Sequence, residues 1–431
     1  MSRSKKHNRR INNKVQDAKM GSFLIFPMLT KSKNSFEKAV KKQKTEKNGK
    51  ESIIKEYRDP TYDIAPNVQE MFDEDKYYIA KRWRIEEAAV NRELFGDVKD
   101  YTLEIDGGYE IKIGDMVIYQ CRNDLVFIAL LIVYSDIKAL EKVYNLGYPE
   151  NNCSYRIVGQ NENFKFGQKL QAWLNDTFRL ISFYTPETFM LEPFLHNFAV
   201  VGKRFDTIEQ MKQLTFKMHL MVPFDWKAKD NSEEDIYFAY AAKDQNQGKK
   251  GSYRWGCCVT SQTISYVVAV QDFNFDTEKE NQIRDVLPVI MLALYEKYVC
   301  LYFEKVLLRD KKIFPCEIKK LKKKMIQFSA YGIVPAVTVS RWYNIRMIYS
   351  HLLIYFGVPE AIQDISNKIE MLNNDQKEKR DRKMNYIIFV ITVLSFFSII
   401  DSIISILDAF DLITYTITSG LEKVHRVLPL K

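Results

Sequence analysis

The sequence predicts an α+β protein: a cytosolic mixed β-sheet domain with flanking helices, then a helical bundle whose long stalk helix runs into a C-terminal transmembrane helix. Three observations predict this fold class. Apolar and polar residues alternate over much of 101–273, helical spacing replaces that alternation after residue 278, and no charged residue interrupts Tyr386 to Ile400. The length of 431 residues, with 46% apolar types, is sufficient for a sizeable core.

Positive charge is concentrated near the N-terminus. Residues 1–60 contain 17 Lys and Arg against 6 Asp and Glu, a net charge of +11, whereas the rest of the chain contains 47 against 49. This composition predicts a basic, partly disordered arm over 1–60. Attraction of the arm to anionic lipid or nucleic acid is the alternative interpretation. The apolar stretch FLIFPML at 23–29 is too short for a signal peptide and contains Pro27.

Residues 61–275 are predicted to form a cytosolic α+β sensor domain. Helical spacing extends over 67–100, and a period of two around Asp106-Gly107-Gly108 indicates a β-hairpin. The continuous apolar run LVFIALLIVY at 125–134 is typical of a central strand. Four later segments extend the strand pattern: NFAVVGKRF, QLTFKMHLMVPF, DIYFAYAA and TSQTISYVVAVQDF. The six cysteines form no Cys-x-x-Cys pair, which favours reduced thiols and no zinc site.

Residues 278–383 are predicted to be a helical stalk region. The segment IRDVLPVIMLALYEKYVCLYFEKVLL predicts a long apolar helix, and its Glu296 and Lys297 favour a buried bundle helix over a membrane span. Two more helices are predicted in EIKKLKKKMIQFSAY and VTVSRWYNIRMIYSHLLIYF. Because Pro359 suits a first helical turn and no helix breaker follows before Gly420, a stalk helix over 359–407 is expected. It would contain about 49 residues and extend roughly 73 Å.

A transmembrane helix is predicted over 384–408. The 23 residues from Asn385 to Leu407 match the thickness of a bilayer core. The basic segment KEKRDRK precedes them, and the positive-inside tendency predicts that this side and the N-terminal domain are cytoplasmic. The predicted location is the cell inner membrane. Residues 409–431 are predicted to be a short tail or a partial second membrane segment.

A polar stripe follows one side of this predicted span. At about 100° per residue, six polar residues fall in one sector of the helical wheel. Such a stripe is explained if several copies surround a water-filled pore in which rings of Asp attract cations. The alternative is that the serines bond to their own backbone and assist helix packing or anchoring. The predicted pore-lining residues are Ser395, Ser398, Asp401, Ser402, Ser405 and Asp408.

Basic residues near predicted turns are the candidate ligand-binding residues. The loop QNQGKKGSYRWG combines phosphate donors with rings that stack on a base, although an ordinary hairpin turn is the alternative interpretation. The candidates are Lys249, Lys250, Tyr253, Arg254 and Trp255 in this loop, Lys203 and Arg204 in VVGKRF, and Arg156 in SYRIVG. The sequence contains no Walker loop, dinucleotide fingerprint or nucleophile motif. A non-enzymatic protein is therefore predicted, with an enzyme of unrecognised class as the open alternative.

Three consecutive segments carry a resemblance to a known family. They are ALYEKYVCLYFEKVLL, SRWYNIRMIYSHLLIYFGVPEAIQDISNKIEMLNNDQKEKRDRKMN and IIFVITVLSFFSII. In pattern and order, roughly residues 280–407 resemble the CorA family of divalent-cation transporters. The resemblance implies a cytosolic α/β domain, a very long stalk helix, a pore-lining first span and a homo-pentamer. The family's Gly-Met-Asn signature is absent, because the corresponding place reads SIIDSIISILDAFD, and the clear second span is missing.

These departures indicate a more specific group within the CorA-like proteins. With a basic arm and a β-rich region before a CorA-like end, the chain is more similar to the divergent CorA-like effectors found beside bacterial type III CRISPR systems. This implies an oligomeric pore that permeabilises the membrane in antiviral defence and is gated by a nucleotide second messenger, such as an adenylated S-adenosylmethionine. Implied partners are membrane lipid, further copies of the chain and the small nucleotide, with no stable nucleic-acid complex. Two alternatives stay open: a transporter of divalent Mg or Co cations, and a membrane-anchored binding protein without a pore.

Overall fold

The computed structural model describes residues 18–32, 34–44, 52–58, 63–73, 79–105, 108–122, 124–146, 155–160, 163–183, 193–202, 204–220, 237–242, 253–269, 274–308 and 315–427. These residues form a mixed α+β protein with a large mixed sheet and a long apolar helix near the C-terminus, as the sequence predicted. The chain divides into two units. Met1–Arg309 with Ile326–Gln363 is the first unit, and Asp310–Met325 with Asp364–Lys431 is the second.

The described sheet contains 13 strands and belongs to the first unit. They are β1 (Ala18–Thr30), β2 (Lys55–Glu56), β3 (Ala80–Ile85), β4 (Thr102–Ile105), β5 (Tyr109–Cys121), β6 (Leu125–Tyr134), β7 (Tyr155–Ile157), β8 (Asn163–Phe164), β9 (Leu180–Ser182), β10 (Phe194–Val201), β11 (Tyr237–Ala242), β12 (Tyr253–Val259) and β13 (Thr263–Ala269). Neighbours follow the order β11-β12-β13-β10-β1-β6-β5-β4-β7-β8, while β3 pairs with β5 and β2, and β9 pairs with β1. Strands β10 and β13 run parallel, whereas β1 runs antiparallel to both β6 and β10.

The described residues also form twelve α-helices. They are α1 (Ser35–Lys44), α2 (Pro66–Asp73), α3 (Glu87–Phe95), α4 (Leu140–Asn145), α5 (Phe166–Phe178), α6 (Ile208–Leu220), α7 (Phe275–Asn281), α8 (Leu287–Leu307), α9 (Pro315–Tyr331), α10 (Ala336–Val339), α11 (Tyr343–Tyr355) and α12 (Val358–Val427). A short π-helix, Gln282–Val286, joins α7 to α8. The predicted third stalk-region helix is therefore two helices, α10 and α11, because Ser340 adopts an extended conformation between them.

Strand β1 lies in the middle of the sheet, so the prediction of a disordered basic arm is wrong for β1 and α1. It pairs with β6 on one side and with β10 and β9 on the other. Every residue from Met20 to Met28 is buried. Pro27 lies between the part of β1 that pairs with β10 and the part that pairs with β9, so its missing N–H falls at a gap in the ladder. The high charge of the flanking residues concealed this strand in the average composition.

Helical spacing over 67–100 is interrupted by β3, which corrects the prediction for the middle of that segment. The sequence AKRWRI of β3 has two arginines and a lysine, and these obscure its strand pattern. Arg82 is nevertheless buried, with its guanidinium 5.3 Å from the ring centroid of Tyr57 and 5.6 Å from that of Phe72. A cation packed over aromatic faces behaves as a core residue here.

The segment QLTFKMHLMVPF was predicted as a strand, but its described part belongs to helix α6. Its alternating Leu214, Phe216 and Met218 suggested a period of two. Met211 is buried as well, and its spacing of three residues from Leu214 is typical of a helix. Helix α6 packs against β12 and β13. The other predicted strands are confirmed at β6, β10, β11 and β13, and the predicted hairpin is confirmed by the pairing of β4 with β5.

The sheet is covered on both faces, which explains the continuous apolar run in β6. Alternate residues of β6, from Val126 to Tyr134, join a core with α3, α4 and α5. Phe127 points to the other face, where its ring lies 5.5 Å from that of Tyr298 in α8. A strand buried on both faces has no polar side to show in its sequence.

Helix α8 is a buried helix of the first unit, as predicted. Its Glu296 is fully buried and accepts hydrogen bonds from the Tyr349 hydroxyl of α11 and from the Val334 N–H at 3.1 Å. Burial raises the pKa of Glu296 to about 7, and its two hydrogen bonds oppose that rise. One carboxyl group therefore joins α8, the segment before α10, and α11.

Helix α12 contains 70 residues and passes through Gly420 to Val427, so it does not end near residue 407. At 1.5 Å per residue it is about 105 Å long. Threonine hydroxyls beyond Asp408 donate back to the helix, for example Thr414 to the Phe410 carbonyl at 2.6 Å. Residues 409–427 therefore continue the same helix without a turn.

Candidate functional site

The second half of α12 exposes large apolar side chains. Phe389, Phe397 and Leu412 are exposed by 64%, 62% and 69%, respectively. By length and composition, two of the described helices are apolar enough to cross a membrane. The first, Phe275–Leu307, is mostly buried inside its own unit, whereas the most apolar window of Val358–Ser419 contains no buried residue. The exposed helix is therefore the candidate membrane segment.

This apolar segment is longer than one bilayer crossing needs. Met384 to Ser419 comprises about 36 residues and extends roughly 54 Å, against a hydrocarbon core of about 30 Å. Asp401, Asp408 and Asp411 divide its C-terminal part. A crossing that begins at Met384 would therefore place Asp401 inside the core and Asp411 beyond it.

A basic segment borders the apolar segment on its N-terminal side. Residues 377–383 are exposed, and their charges are partly paired along the helix. The Lys379 ammonium lies 2.6 Å from the Asp375 carboxylate, and Arg382 pairs with Glu378. Such i,i+4 pairs stabilise an exposed helix before it enters an apolar environment.

The predicted pore-lining residues are all exposed on α12. The Ser402 hydroxyl donates to the Ser398 carbonyl at 2.8 Å, and the Ser405 hydroxyl donates to the Asp401 carbonyl at 2.9 Å. These two serines are therefore satisfied by their own helix, as the packing alternative expects. The carboxylates of Asp401 and Asp408 form no ion pair with a residue that the structure describes. Pore lining by these six residues stays a prediction.

Arg156, a predicted ligand-binding residue, lies on β7 opposite Glu104 of β4. Its guanidinium donates twice to one Glu104 carboxylate oxygen, at 2.6 and 3.0 Å. A cross-strand pair of opposite charge stabilises an exposed sheet surface without any ligand. A ligand-binding role for Arg156 stays a prediction.

Four other predicted ligand-binding residues are brought close together at β12. Phe205 and Tyr253 exchange two backbone hydrogen bonds at 3.1 and 3.2 Å, which places Arg204 beside the β12 residues Arg254 and Trp255. The Tyr253 ring is buried rather than presented to solvent, and Arg254 is exposed. Lys203, Lys249 and Lys250 lie outside the described residues.

A cleft of about 360 Å³, not predicted from the sequence, lies between α7 and the ends of β1, β5 and β6. Six charged residues line it, three of each sign: Lys19, Glu87, Glu110, Lys112, Asp276 and Lys279. Its volume is within the range typical of small-molecule sites. The EIK pattern of β5 places Glu110 and Lys112 on one face of that strand, but nothing local indicates which helix lies opposite.

A buried ion-pair network supports the wall of this cleft. The Asp115 carboxylate is buried, and it accepts hydrogen bonds from the Arg84 guanidinium at 2.6 Å and from the Glu87 N–H at 2.8 Å. The Lys279 ammonium lies 3.6 Å from the same carboxylate. Arg84 also contacts Glu280 of α7 at 2.6 Å. Burial, and secondly the charge of Asp115, raise the pKa of the Glu87 carboxyl. The network thus fixes α7 against α3 and β5 and supports the cleft from behind.

No protein-family model matches the chain, and no curated protein sequence matches it.

Proposed function

We propose that the protein is a CorA-like oligomeric membrane pore, gated by a nucleotide second messenger of the adenylated S-adenosylmethionine type, that permeabilises the membrane in type III CRISPR antiviral defence. The observation that carries the proposal is the exposed apolar part of α12 with its stripe of serines and aspartates. In this proposal the protein is anchored in the inner membrane by α12, and the β-sheet unit is its cytoplasmic sensor.

Removal of the apolar side chains from water supports a membrane location. Each large apolar side chain contributes about 1.5–3 kcal/mol when it leaves water. Exposed residues such as Phe389, Leu394 and Ile399 lie about 140° apart around the helix axis, so apolar side chains are exposed in every direction. A single neighbouring helix would cover only one side, whereas a bilayer covers every side that does not face another copy.

The carboxylates support an aqueous axis within that assembly. An ionised aspartate facing lipid is strongly unfavourable, and Asp401 lies within the predicted hydrocarbon core. If symmetry-related copies face one another, Asp401 and Asp408 form two rings that water can reach and that attract cations. No magnesium-selective mouth is proposed, because the Gly-Met-Asn signature is absent.

Gating requires the messenger to bind the open arrangement more tightly than the closed one. In the proposed mechanism the ligand binds in the sheet unit, and the shift reaches the pore through α12, which begins in that unit and continues into the membrane.

A membrane-anchored binding protein without a pore is the second candidate. The backbone hydrogen bonds of Ser402 and Ser405 favour it, because hydroxyls satisfied in this way need no water. The two candidates differ in the role of the carboxylates, which an anchor does not use.

Conductance in planar bilayers separates the two candidates. We expect wild-type protein to conduct cations when adenylated S-adenosylmethionine is added. The double variant Asp401→Asn with Asp408→Asn should lower cation conductance at least about twofold, because rings of charge concentrate cations. Asp411→Asn is the matched control, since Asp411 lies outside the stripe on the helical wheel.

Two results would contradict the pore. One is equal cation conductance in the double variant and the wild type. The other is a monomer in detergent that conducts nothing with or without the nucleotide, which would leave the anchor as the better explanation.

A further inference from the structure

We propose that the cleft between α7 and the ends of β1, β5 and β6 is the messenger site, and that it selects a zwitterionic nucleotide over a polyanionic one. Such a ligand carries an anionic phosphodiester and, several bonds away, a cationic ammonium or sulfonium group. The inference rests on the proposed function, because it locates the nucleotide site of that sensor and names the ligand's charge pattern.

Strand register places charged residues side by side along the sheet face of the cleft. Lys112 pairs with Thr102 of β4 on one side and with Val133 of β6 on the other. Glu110 lies two residues before Lys112 and therefore shares its face. Lys19 reaches the same face from β1. The sheet thus supplies two ammonium groups and one carboxylate to one wall.

Helix α7 supplies the opposite wall, with Asp276 and Lys279. Lys279 is committed to the supporting network, because its ammonium lies 3.6 Å from Asp115. Asp276 is exposed, and it forms no hydrogen bond or ion pair with a residue that the structure describes. This wall therefore presents one available carboxylate.

Three of the charged residues that line the cleft have no ion-pair partner among the described residues. Among the described residues, Lys112, Glu110 and Asp276 have no ion-pair partner within 4 Å, although all three line the same 360 Å³ space. A ligand that carries both signs can pair with Lys112 and with the two carboxylates at once, whereas a ligand of one sign leaves one kind of charge unpaired. A ligand with several phosphates would meet three carboxylates and be disfavoured.

The floor of the cleft is apolar and already packed. The Phe275 ring stacks on Phe198 with centroids 5.4 Å apart, and the Lys19 ammonium lies 4.6 Å from the Phe275 centroid. Phe275 therefore forms a fixed surface rather than a free stacking partner. Val133, which pairs with Lys112, extends this floor, and its apolar surface suits the methylene and ribose parts of a nucleotide conjugate.

The wall contributed by α7 belongs to a helix that leads toward the stalk. Phe275–Leu307 is one continuous helical segment that includes α7, the π-helix and α8. Glu296 in its second half holds Tyr349 of α11, the helix that precedes α12. A ligand that draws α7 toward the sheet would therefore act on a segment bonded to the start of the stalk.

Three probes test the charge selection on full-length protein in detergent by titration calorimetry. The first is adenylated S-adenosylmethionine. The second is adenylyl-adenosine, which keeps two adenosines and one phosphodiester but lacks the methionine group. The third is cyclic tetra-adenylate, which is polyanionic. We expect the first to bind at least about tenfold more tightly than either other probe, since charged hydrogen bonds contribute about 1.5–3 kcal/mol.

Substitutions in the cleft test separately how the methionine group and the phosphodiester of the ligand are recognised. Glu110→Gln with Asp276→Asn should reduce the preference for the methionine-bearing probe over adenylyl-adenosine by at least about fivefold. Lys112→Gln should weaken both of these probes by a similar factor, because both carry the phosphodiester. The matched control Lys138→Gln removes an exposed lysine outside the cleft and should change neither affinity. Thermal unfolding of each variant checks that the sheet unit is intact.

Three outcomes would overturn this site. In the first, the wild type binds the conjugate and conducts, and all cleft variants bind the conjugate with wild-type affinity. The pore proposal would then stand, but the messenger would not bind in the cleft. If Arg254→Gln alone abolishes that binding, the site lies at β12. In the second, cyclic tetra-adenylate binds more tightly than the conjugate. In the third, wild type binds none of the probes, which removes nucleotide gating together with the cleft.

Discussion

Glu296 shows how one buried carboxyl group can make this protein sensitive to pH. It accepts hydrogen bonds from Tyr349 and Val334, while its other oxygen is buried and has no hydrogen-bond partner among the described residues. Removing a charge from water favours the protonated form, so burial raises the pKa to about 7. In the unfolded chain a glutamate titrates near its ordinary value of about 4.3.

The raised pKa of Glu296 predicts a loss of stability as pH rises. Below about pH 4 the carboxyl is protonated in both states. As pH rises toward 7, the unfolded state releases the proton while the folded state retains it, so the free energy of unfolding falls by about 3 kcal/mol and then levels off. Glu296→Gln should remove this component and be more stable than wild type at pH 8. Urea unfolding at pH 5 and pH 8 measures the difference.

Glu304→Gln is the matched control for this prediction, because Glu304 lies on the same helix and is only partly buried. It should leave the pH dependence of unfolding unchanged. An identical pH dependence in Glu296→Gln and wild type would show that Glu296 does not titrate in this range.

At the scale of elements, β1 depends on a close approach to β10. Gly21 pairs with Phe198, and a Cβ atom at residue 21 would lie 2.4 Å from the Phe198 ring. Since both strands are in the middle of the sheet, neither can move away without breaking other pairings.

Gly21→Ala is therefore expected to destabilise the sheet unit by about 1–3 kcal/mol through overpacking. Adding Phe198→Leu to Gly21→Ala should recover part of this loss, because the shorter side chain leaves room for the new methyl group. Chemical denaturation of the two single variants and the double variant measures the coupling. Strictly additive effects would place the cost elsewhere than at this contact.

Helix α12 is the element whose role differs most along its length. Ile365 and Ile369, near its start, are buried, whereas its side chains from Met384 to Thr418 are almost all exposed. Basic residues and i,i+4 ion pairs separate these two parts. The surface of this one continuous helix thus changes from charged to apolar at Met384.

At the scale of the whole molecule, the division into two units predicts that the sheet unit folds stably without the apolar segment of α12. The large core formed by β1, β6 and β10 belongs entirely to the first unit, and the exposed apolar segment of α12 belongs to the second. A chain that ends at Lys383 loses the exposed apolar segment but none of this core.

The shortened chain should therefore be soluble without detergent and retain the thermal unfolding transition of the sheet unit. Size-exclusion chromatography in plain buffer and calorimetry measure these properties, with the full chain in detergent as the control. It should also lose any toxicity caused by the pore in cells. Aggregation of the shortened chain without detergent would show that other apolar surfaces of the protein require cover.

Local sequence patterns determined part of this fold. The alternation beside Gly108, the branched apolar run of β6 and the helical spacing of α8 each depend on neighbouring residues, so they could be predicted before any partner was known. The apolar segment after Lys383 and its polar stripe are equally local, because residue spacing fixes the position around a helix. These features establish the fold class and the candidate membrane segment.

Only the tertiary structure decided which segments meet. It placed β1 inside the sheet, buried Arg82 against two aromatic rings, and made α6 a helix despite its alternating pattern. It also created the cleft, where Lys112 and Asp276 are separated by 164 positions in the sequence. The physical reason is that periodicity is a property of neighbouring residues, whereas strand register, burial and charge pairing arise between residues distant along the chain.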